Sequence, residues 1–154
     1  MTAPDPTMAR IGEAMALGQR GERAAAGELF AQIWVDIGGE VGDPFHRCAL
    51  AHSMADVQDD VREELLWDER ALAAADQLTD ERAVRGGVPG GVAGFYPSLH
   101  LNLAECHRKL GDLGRAREHL ARGRAAVGAL PDDGYGRMIR EGLDRLAERL
   151  DVVH

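Results

Sequence analysis

The sequence predicts an all-α fold of about seven antiparallel helices, and three observations support this prediction. Apolar residues recur at helical spacing, glycine-containing segments interrupt them at short intervals, and strand-forming residues are sparse. The 154 residues include only seven aromatics but many alanines, which favours closely packed helices over a sheet core. A chain of this length is expected to form a single domain, over residues 8–152, after a disordered N-terminus at residues 1–7.

The first two helices are predicted to form a hairpin. Helical spacing begins at Met8, and the two glycines of the segment GQRG end this helix in a tight turn. A second helix begins near Arg23. Each helix carries one apolar stripe, and the two stripes would pack together. These stripes are Ile11, Met15 and Gly18 on the first helix and Ala26, Phe30 and Ile33 on the second.

The third and fourth helices are predicted to form a second hairpin. Asp43 is a candidate N-cap, because Pro44 follows it at the first helical position. The third helix stops near the segment QDD, and the fourth runs from about Val61 to Leu78 with an acidic polar face. One stripe of the third helix contains Phe45, Cys48, His52 and Ala55.

A Gly-rich segment at residues 83–96 is expected to form an irregular loop between repeats. Pro97 begins the fifth helix, which runs to Leu110, and the segment GDLG forms the next turn. The sixth helix covers about residues 113–127, and the last covers about 135–152. The last helix has a single apolar stripe of Ile139, Leu143, Leu146 and Leu150.

Two of these hairpins share a pattern in sequence. The segments LGQRGERAAAGELFAQ and HRKLGDLGRAREHLAR each have a turn glycine, an alanine five residues later, and a large apolar residue four residues after that. Glycine admits the tight turn, the small residue lets two helices approach closely, and the large residue fills the space beneath. The matching pairs are Gly21 and Gly111, Ala26 and Ala116, and Phe30 and Leu120.

This pattern resembles the tetratricopeptide repeat (TPR), a helix-turn-helix unit of 34 residues. In the copy at residues 97–130, Leu103 and Ala104 take the place of the family's Leu-Gly pair, and GDLGRA matches its turn. His100 and His107 stand where the family usually has Trp and Tyr. The resemblance implies a short TPR-like α-solenoid of three irregular helical hairpins over about residues 8–130, plus a C-terminal capping helix.

The middle copy, at about residues 45–78, departs most from the family pattern. Asp59 stands where the turn glycine is expected, and Glu64 stands at the position of the small residue. The register of this copy is therefore the least determined of the three.

Charge and composition narrow the classes of function. Residues 1–95 carry 17 acids against 8 bases, and the formal net charge of the chain is -8, which argues against nucleic acid as a ligand. The sequence contains no apolar run of signal-peptide or membrane-span length, so we expect a cytoplasmic protein without membrane contact. Cys48 and Cys106 are far apart, and we expect both to be free buried thiols.

The fifth helix raises the question of a metal site, because His100 and His107 lie on one of its stripes. These two histidines are two turns apart, too far to share a metal ion at the usual coordination distances of about 2.0–2.3 Å. Packing between helices is therefore the favoured interpretation, and no cofactor is predicted. A second cluster keeps an alternative function open, that of a small-molecule or metal-binding protein or a hydrolase: His46, Cys48, His52 and Asp56.

The TPR resemblance implies a concave groove lined by the first helix of each hairpin, and thus a non-enzymatic module for protein-protein interaction. The partner would be a peptide or helical segment of another protein, or a second copy of this chain. A third reading is a relative of the repeat domains attached to transcription regulators, without their DNA-binding element. The residues that the resemblance assigns to the groove are His46, Ser53, Asp56, Ser98, Glu105, Arg108 and Lys109.

Overall fold

The computed structural model describes residues 5–88 and 91–152, and these ranges contain α-helices and 3-10 turns but no strand. The all-α prediction is confirmed. Each of the predicted helices is present to within a few residues, and one short helix is added. The eight helices are α1 (Pro6–Gln19), α2 (Arg23–Asp36), α3 (Pro44–Asp56), α4 (Val61–Gln77), α5 (Asp80–Arg85), α6 (Tyr96–Lys109), α7 (Leu113–Ala125) and α8 (Gly134–Val152).

Helix α1 begins at Pro6, two residues before the predicted start at Met8. The carboxylate of Asp5 accepts hydrogen bonds from the backbone N–H groups of Thr7 at 3.0 Å and Met8 at 3.1 Å. Pro6 then occupies the first turn, where a missing N–H costs nothing. Of the segment 1–7 that the sequence predicts to be disordered, residues 1–4 lie outside the described residues.

Helix α5 was not predicted, and it occupies the start of the predicted Gly-rich loop 83–96. It has only six residues, too few to produce a recognisable apolar period. The Thr79 side chain caps it by accepting from the backbone N–H of Arg82 at 3.1 Å. The remaining described part of the loop contains a 3-10 turn, Val92–Phe95, and residues 89–90 lie outside the described residues.

The chain divides into two compact units, Met1–Gln77 and Leu78–His154. The first unit, called unit 1 below, contains the α1–α2 and α3–α4 hairpins, and α3 also packs against α1 and α2. Its core includes four large side chains that are at most 1% exposed: Ile11, Phe30, Ile33 and Leu50. Burial of Phe30 and Ile33 confirms the predicted stripe of α2. The single domain over residues 8–152 stays a prediction.

The second unit, unit 2, contains α5, the α6–α7 hairpin and α8, which packs on both helices of that hairpin. The predicted stripe of α8 is buried in its core, together with Ala104, Ala116 and Leu120. The two helices α7 and α8 approach closely at Gly123, where a Cβ atom would lie 3.0 Å from Cδ2 of Leu143. A small residue is therefore required at this crossing.

The turns of the first and last hairpins have the same geometry. Gly21 has a φ of 86° and Gly111 a φ of 84°, a left-handed conformation that favours glycine. One residue later, the N–H of Glu22 donates to the carbonyl of Leu17, and the N–H of Asp112 donates to that of His107, both at 2.9 Å. These are the bonds of a Schellman motif, and they make the two turns structurally equivalent.

The middle hairpin closes without such a glycine. The side chain of Arg23, the first residue of α2, forms hydrogen bonds to the turn that follows α3. Its guanidinium donates to the carbonyl oxygens of Asp56 and Gln58, both at 3.1 Å, and to the Asp59 carboxylate at 3.2 Å. A side chain of the preceding hairpin thus stabilises a turn that departs from the repeat pattern.

Candidate functional site

Three of the predicted groove residues, His46, Ser53 and Asp56, lie on α3 in unit 1. Ser53 and Asp56 line an open pocket of about 180 Å³, to which α1 contributes Met15 and α2 contributes Arg23. Met15 is 42% exposed, so the pocket joins an apolar side chain to polar ones. His46 is held elsewhere, because its Nε2 lies 2.7 Å from Oδ2 of Asp5.

The alternative cluster of His46, Cys48, His52 and Asp56 is not assembled as a metal site. No three of their ligand atoms lie within 4.8 Å of one another among the described residues. Cys48 is 1% exposed, and burial raises the pKa of its thiol to about 12, against the opposing charge of Arg47. A thiol with this pKa stays protonated near neutral pH and is a poor nucleophile.

His52 is half-buried. Burial lowers the pKa of the His52 imidazole, while the neighbouring Asp56 carboxylate opposes this shift. The side chain is therefore mostly neutral near neutral pH. A neutral histidine beside a protonated, buried thiol supplies no activated Cys–His pair.

The other four predicted groove residues, Ser98, Glu105, Arg108 and Lys109, lie on α6 in unit 2. Ser98 is only 5% exposed, and its hydroxyl donates to the carbonyl of Phe95 at 3.2 Å. Its hydroxyl therefore closes the first turn of α6. Lys109, at the end of the same helix, is exposed.

Arg108 forms a two-point ion pair with Glu105, one turn earlier on α6. Its Nε donates to Oε2 at 2.9 Å and its Nη2 to Oε1 at 2.6 Å. The hydrogen bond to Arg108 lowers the pKa of Glu105 against the effect of partial burial, and the charges of Arg149 and Lys109 act in the same direction. A partner carboxylate would have to compete with Glu105 for this guanidinium.

A second open pocket, of about 250 Å³, lies between α6 and α8. Glu105 lines it together with Asn102, and Arg149 of α8 lies 3.5 Å from Glu105. Sequence reasoning did not assign the α8 arginines to a site, because α8 was interpreted as a capping helix. The spacing of Arg145 and Arg149, one turn apart on the polar side of α8, is the signal that could have found them.

The predicted burial of His100 and His107 is confirmed, at 7% and 4% exposure. They are joined by His119 of α7, whose ring stacks between them. Nδ1 of His119 lies 3.0 Å from Nδ1 of His100, and its ring is parallel to that of His107 within 5°. Tyr96 extends the stack, with its ring centroid 6.0 Å from that of His100. We call Tyr96, His100, His119 and His107 the histidine stack.

The sequence contained a signal for His119 that was not used. It lies three residues after Ala116 and directly before Leu120, at the border of the buried stripe of α7. Burial lowers the pKa of His119 to about 4, helped by His100, His107 and Arg122 and opposed by Glu118. The imidazole is neutral near neutral pH, and no three histidine nitrogens of the stack lie within 4.8 Å in the described ranges. The geometry is that of packing between helices.

Comparisons with known proteins bear on the fold. No protein-family model matches the chain, and no curated protein matches it. Among solved structures, the chain is similar to PcrH from Pseudomonas aeruginosa, with a TM-score of 0.51 and 19% identity over 96% of each chain. At this identity the likeness shows the fold alone. Together with the two equivalent turns, it confirms a TPR-like helical-repeat fold.

Among the described residues, no helix combines the length and the apolar content needed to cross a bilayer.

Proposed function

We propose that this chain is a non-enzymatic, cytoplasmic module for protein-protein interaction. It binds a peptide or helical segment of a partner protein on the first helices of its hairpins, which form the groove. A second copy of the chain would be one such partner. The proposal rests on the TPR-like fold, since stacked helical hairpins offer extended surfaces for peptides.

One observation carries the proposal, the pocket in which α3 meets α1 in unit 1. It combines the exposed thioether of Met15 with the polar side chains of Ser53 and Asp56. An apolar side chain of a partner could pack on Met15 while backbone groups of the same segment bond to Ser53 and Asp56. Helical and extended peptides are recognised by such pairings of one apolar anchor with a polar rim.

The chemistry of the described residues supports a binding role. Cys48 is a protonated thiol, His46 is paired with Asp5, His100 and His107 are buried, and burial lowers the pKa of His119 to about 4. None of these groups is presented as a nucleophile beside an open cavity. The metal-binding or hydrolytic alternative receives no support from a specific arrangement.

Site-specific photo-crosslinking tests the proposal. A photoreactive amino acid replaces Met15 in one variant and Lys109 in another, and each variant is exposed to an extract of its native cell. We expect both positions to crosslink the same protein, because both lie on groove-forming helices. Mass spectrometry of the crosslinked peptides then identifies the partner segment, including one from a second copy of this chain.

Matched controls place the same amino acid on the second helices of the hairpins. Val35 on α2 is 74% exposed and Arg115 on α7 has a side chain that is 68% exposed, so both are fully accessible. Crosslinking at the control positions with equal yield would contradict groove recognition. Absence of any protein crosslink from Met15 and Lys109 would contradict the interaction function itself.

A further inference from the structure

Unit 1 contains a pocket of about 230 Å³ that no part of the proposed function uses. Trp34 of α2 contributes one wall, and its ring meets that of Trp67 on α4 edge to face, with centroids 5.2 Å apart. The guanidinium of Arg70 lies over both rings, 4.4 Å from the centroid of Trp67 and 5.8 Å from that of Trp34. Arg47 of α3 also lines this pocket, which we call the arginine–tryptophan pocket.

Arg47 is an unusual residue because it is buried and forms no ion pair with any residue that the structure describes. Only 6% of it is exposed, yet no carboxylate lies within 4.0 Å of it in the part of the chain that the structure describes. Its Nε donates to the carbonyl of Gly42 at 2.9 Å, and its Nη2 donates to Oε1 of Gln77 at 2.7 Å. These bonds fix the guanidinium in place but leave its charge uncompensated, which is costly in a buried position.

Three arginines of unit 1 that are more exposed than Arg47 do have a carboxylate partner. Arg10, Arg20 and Arg23 each have a carboxylate oxygen within reach, at 2.9, 3.3 and 3.2 Å respectively. Unit 1 is rich in carboxylates, so the lack of a carboxylate beside Arg47 is not due to a shortage of acidic residues. Its position facing a pocket indicates that the compensating anion comes from outside the chain.

Arg70 adds a second cation to the same pocket. Its contacts with the two tryptophan rings hold the planar group in one orientation, and such preorganisation lowers the entropic cost of binding an anion. The competing carboxylate is that of Glu40, whose Oε1 lies 3.9 Å from Nε of Arg70 and whose side chain is 76% exposed. An exposed pair at this distance is weak, and Glu40 can move aside.

The net negative charge of the chain does not forbid an anion here. At physiological ionic strength exposed charges are screened beyond about 8 Å, so the local arginines dominate the field inside the pocket. The ionisable residues that line the pocket are two arginines and one exposed glutamate, a local excess of positive charge.

We propose that the arginine–tryptophan pocket binds a small organic oxyanion, a carboxylate or phosphate group carried on a flat or apolar body. The oxyanion would accept hydrogen bonds from Arg47 and Arg70, and its body would pack on Trp34. The volume suits a ligand smaller than a typical drug molecule, or the terminal residue of a peptide. The inference is independent of the proposed groove, because none of these residues belongs to it.

Intrinsic fluorescence tests this proposal directly, because the chain has two tryptophans, of which Trp34 lines the pocket and Trp67 contacts both Trp34 and Arg70. The full chain is titrated with phenyl phosphate, benzoate, inorganic phosphate and, at matched ionic strength, chloride. We expect a saturable change with phenyl phosphate or benzoate, at lower concentration than with inorganic phosphate. A change that follows ionic strength alone, equal for all four anions, would overturn the proposal.

The decisive variant is Arg70→Gln, and Arg62→Gln is its matched control. Both residues lie on α4, and Arg62 is exposed and does not line the pocket. We expect Arg70→Gln to weaken binding by about tenfold or more, as loss of a charge-assisted hydrogen bond does, and Arg62→Gln to bind as the unmodified chain does. Calorimetry provides a readout that does not depend on the tryptophans. Equal affinity of the two variants would overturn the assignment.

Two peptides ending in phenylalanine, one with a free and one with an amidated C-terminus, distinguish the sources of the anion. Tighter binding of the free-carboxylate peptide than of benzoate supports the pocket and identifies a protein terminus as its ligand. Tighter binding of benzoate or phenyl phosphate than of the free-carboxylate peptide also supports the pocket, and identifies its ligand as a free molecule of metabolite size. Binding of the amidated peptide with the same affinity as the free one, together with no response to the small anions, would overturn the proposal.

Discussion

At the scale of single residues, burial decides what each polar side chain can do. Cys48 and His52 have the chemical identity of a reactive pair, but the surrounding helices keep both uncharged. Arg47 shows the opposite case, since a buried guanidinium cannot lose its charge and its donors need hydrogen-bond acceptors, here the Gly42 carbonyl and the Gln77 side chain. Residue type alone therefore pointed to the histidines and Cys48 as candidate site residues. It could not distinguish Arg47 from the exposed arginines.

His119 is expected to make the stability of the fold sensitive to acid. Its folded pKa of about 4 lies below the ordinary 6.5, so between these values the unfolded chain binds a proton that the folded chain does not. The stabilisation is thus complete above about pH 6.5 and is lost as the pH falls toward about 4. Because the side chain is only half-buried, solvent screening reduces the effect to about 1 kcal/mol.

Urea denaturation at pH 7 and pH 5 measures this effect. Protonation of carboxylates also changes stability over this range, so the informative quantity is the difference between the unmodified chain and His119→Gln. The variant is expected to lose less free energy of unfolding between the two pH values. An identical loss in both proteins would show that His119 takes up its proton in the folded chain as it does in the unfolded chain, and would contradict the lowered pKa.

At the scale of elements, a repeated turn is the strongest sign of common architecture. Gly21 and Gly111 have nearly the same φ, and a Cβ at either position would meet nothing within 4 Å. Substitution by alanine at either position is therefore expected to cost only the strain of a left-handed backbone, about 1–2 kcal/mol. The two costs should be similar if the turns are equivalent.

Thermal and urea unfolding of Gly21→Ala and Gly111→Ala provide the measurement. Gly128→Ala is the matched control, because a Cβ there also meets nothing within 4 Å and the backbone is not left-handed. The control should be neutral to within about 0.5 kcal/mol. A loss at Gly128 as large as at the two turns would contradict the argument from backbone conformation.

The helices could be predicted from the sequence because each has an apolar stripe or a cap at a recognisable spacing. Asp43 before Pro44 predicted the start of α3, and the carboxylate does accept from the backbone N–H of Phe45 at 2.8 Å. Helix α5 was missed because six residues carry no period. The candidate site was harder to predict from the sequence. Contacts such as Arg108 with Glu105 or Arg70 with Trp67 depend on rotamers and helix packing, which the spacing of residues along the chain does not determine.

At the scale of the whole molecule, a TPR-like fold is present at 19% identity to PcrH and without a match to any family model. The fold survives such divergence because it depends on small and large residues at fixed spacing rather than on particular side chains. Surface residues are free to vary on the same scaffold, so the fold does not determine the ligand. This is why both proposals are argued from particular side chains and not from the fold alone.

The prediction of a single domain over residues 8–152 can be tested by comparing two probes of unfolding. Trp34 and Trp67 are the tryptophans of the chain and both belong to unit 1, so fluorescence excited selectively at tryptophan follows unit 1. Circular dichroism at 222 nm follows the helices of both units. In a single cooperative domain the two probes give the same midpoint and the same slope in urea. Two separate midpoints would mean that units 1 and 2 unfold independently, and would replace the single domain by two.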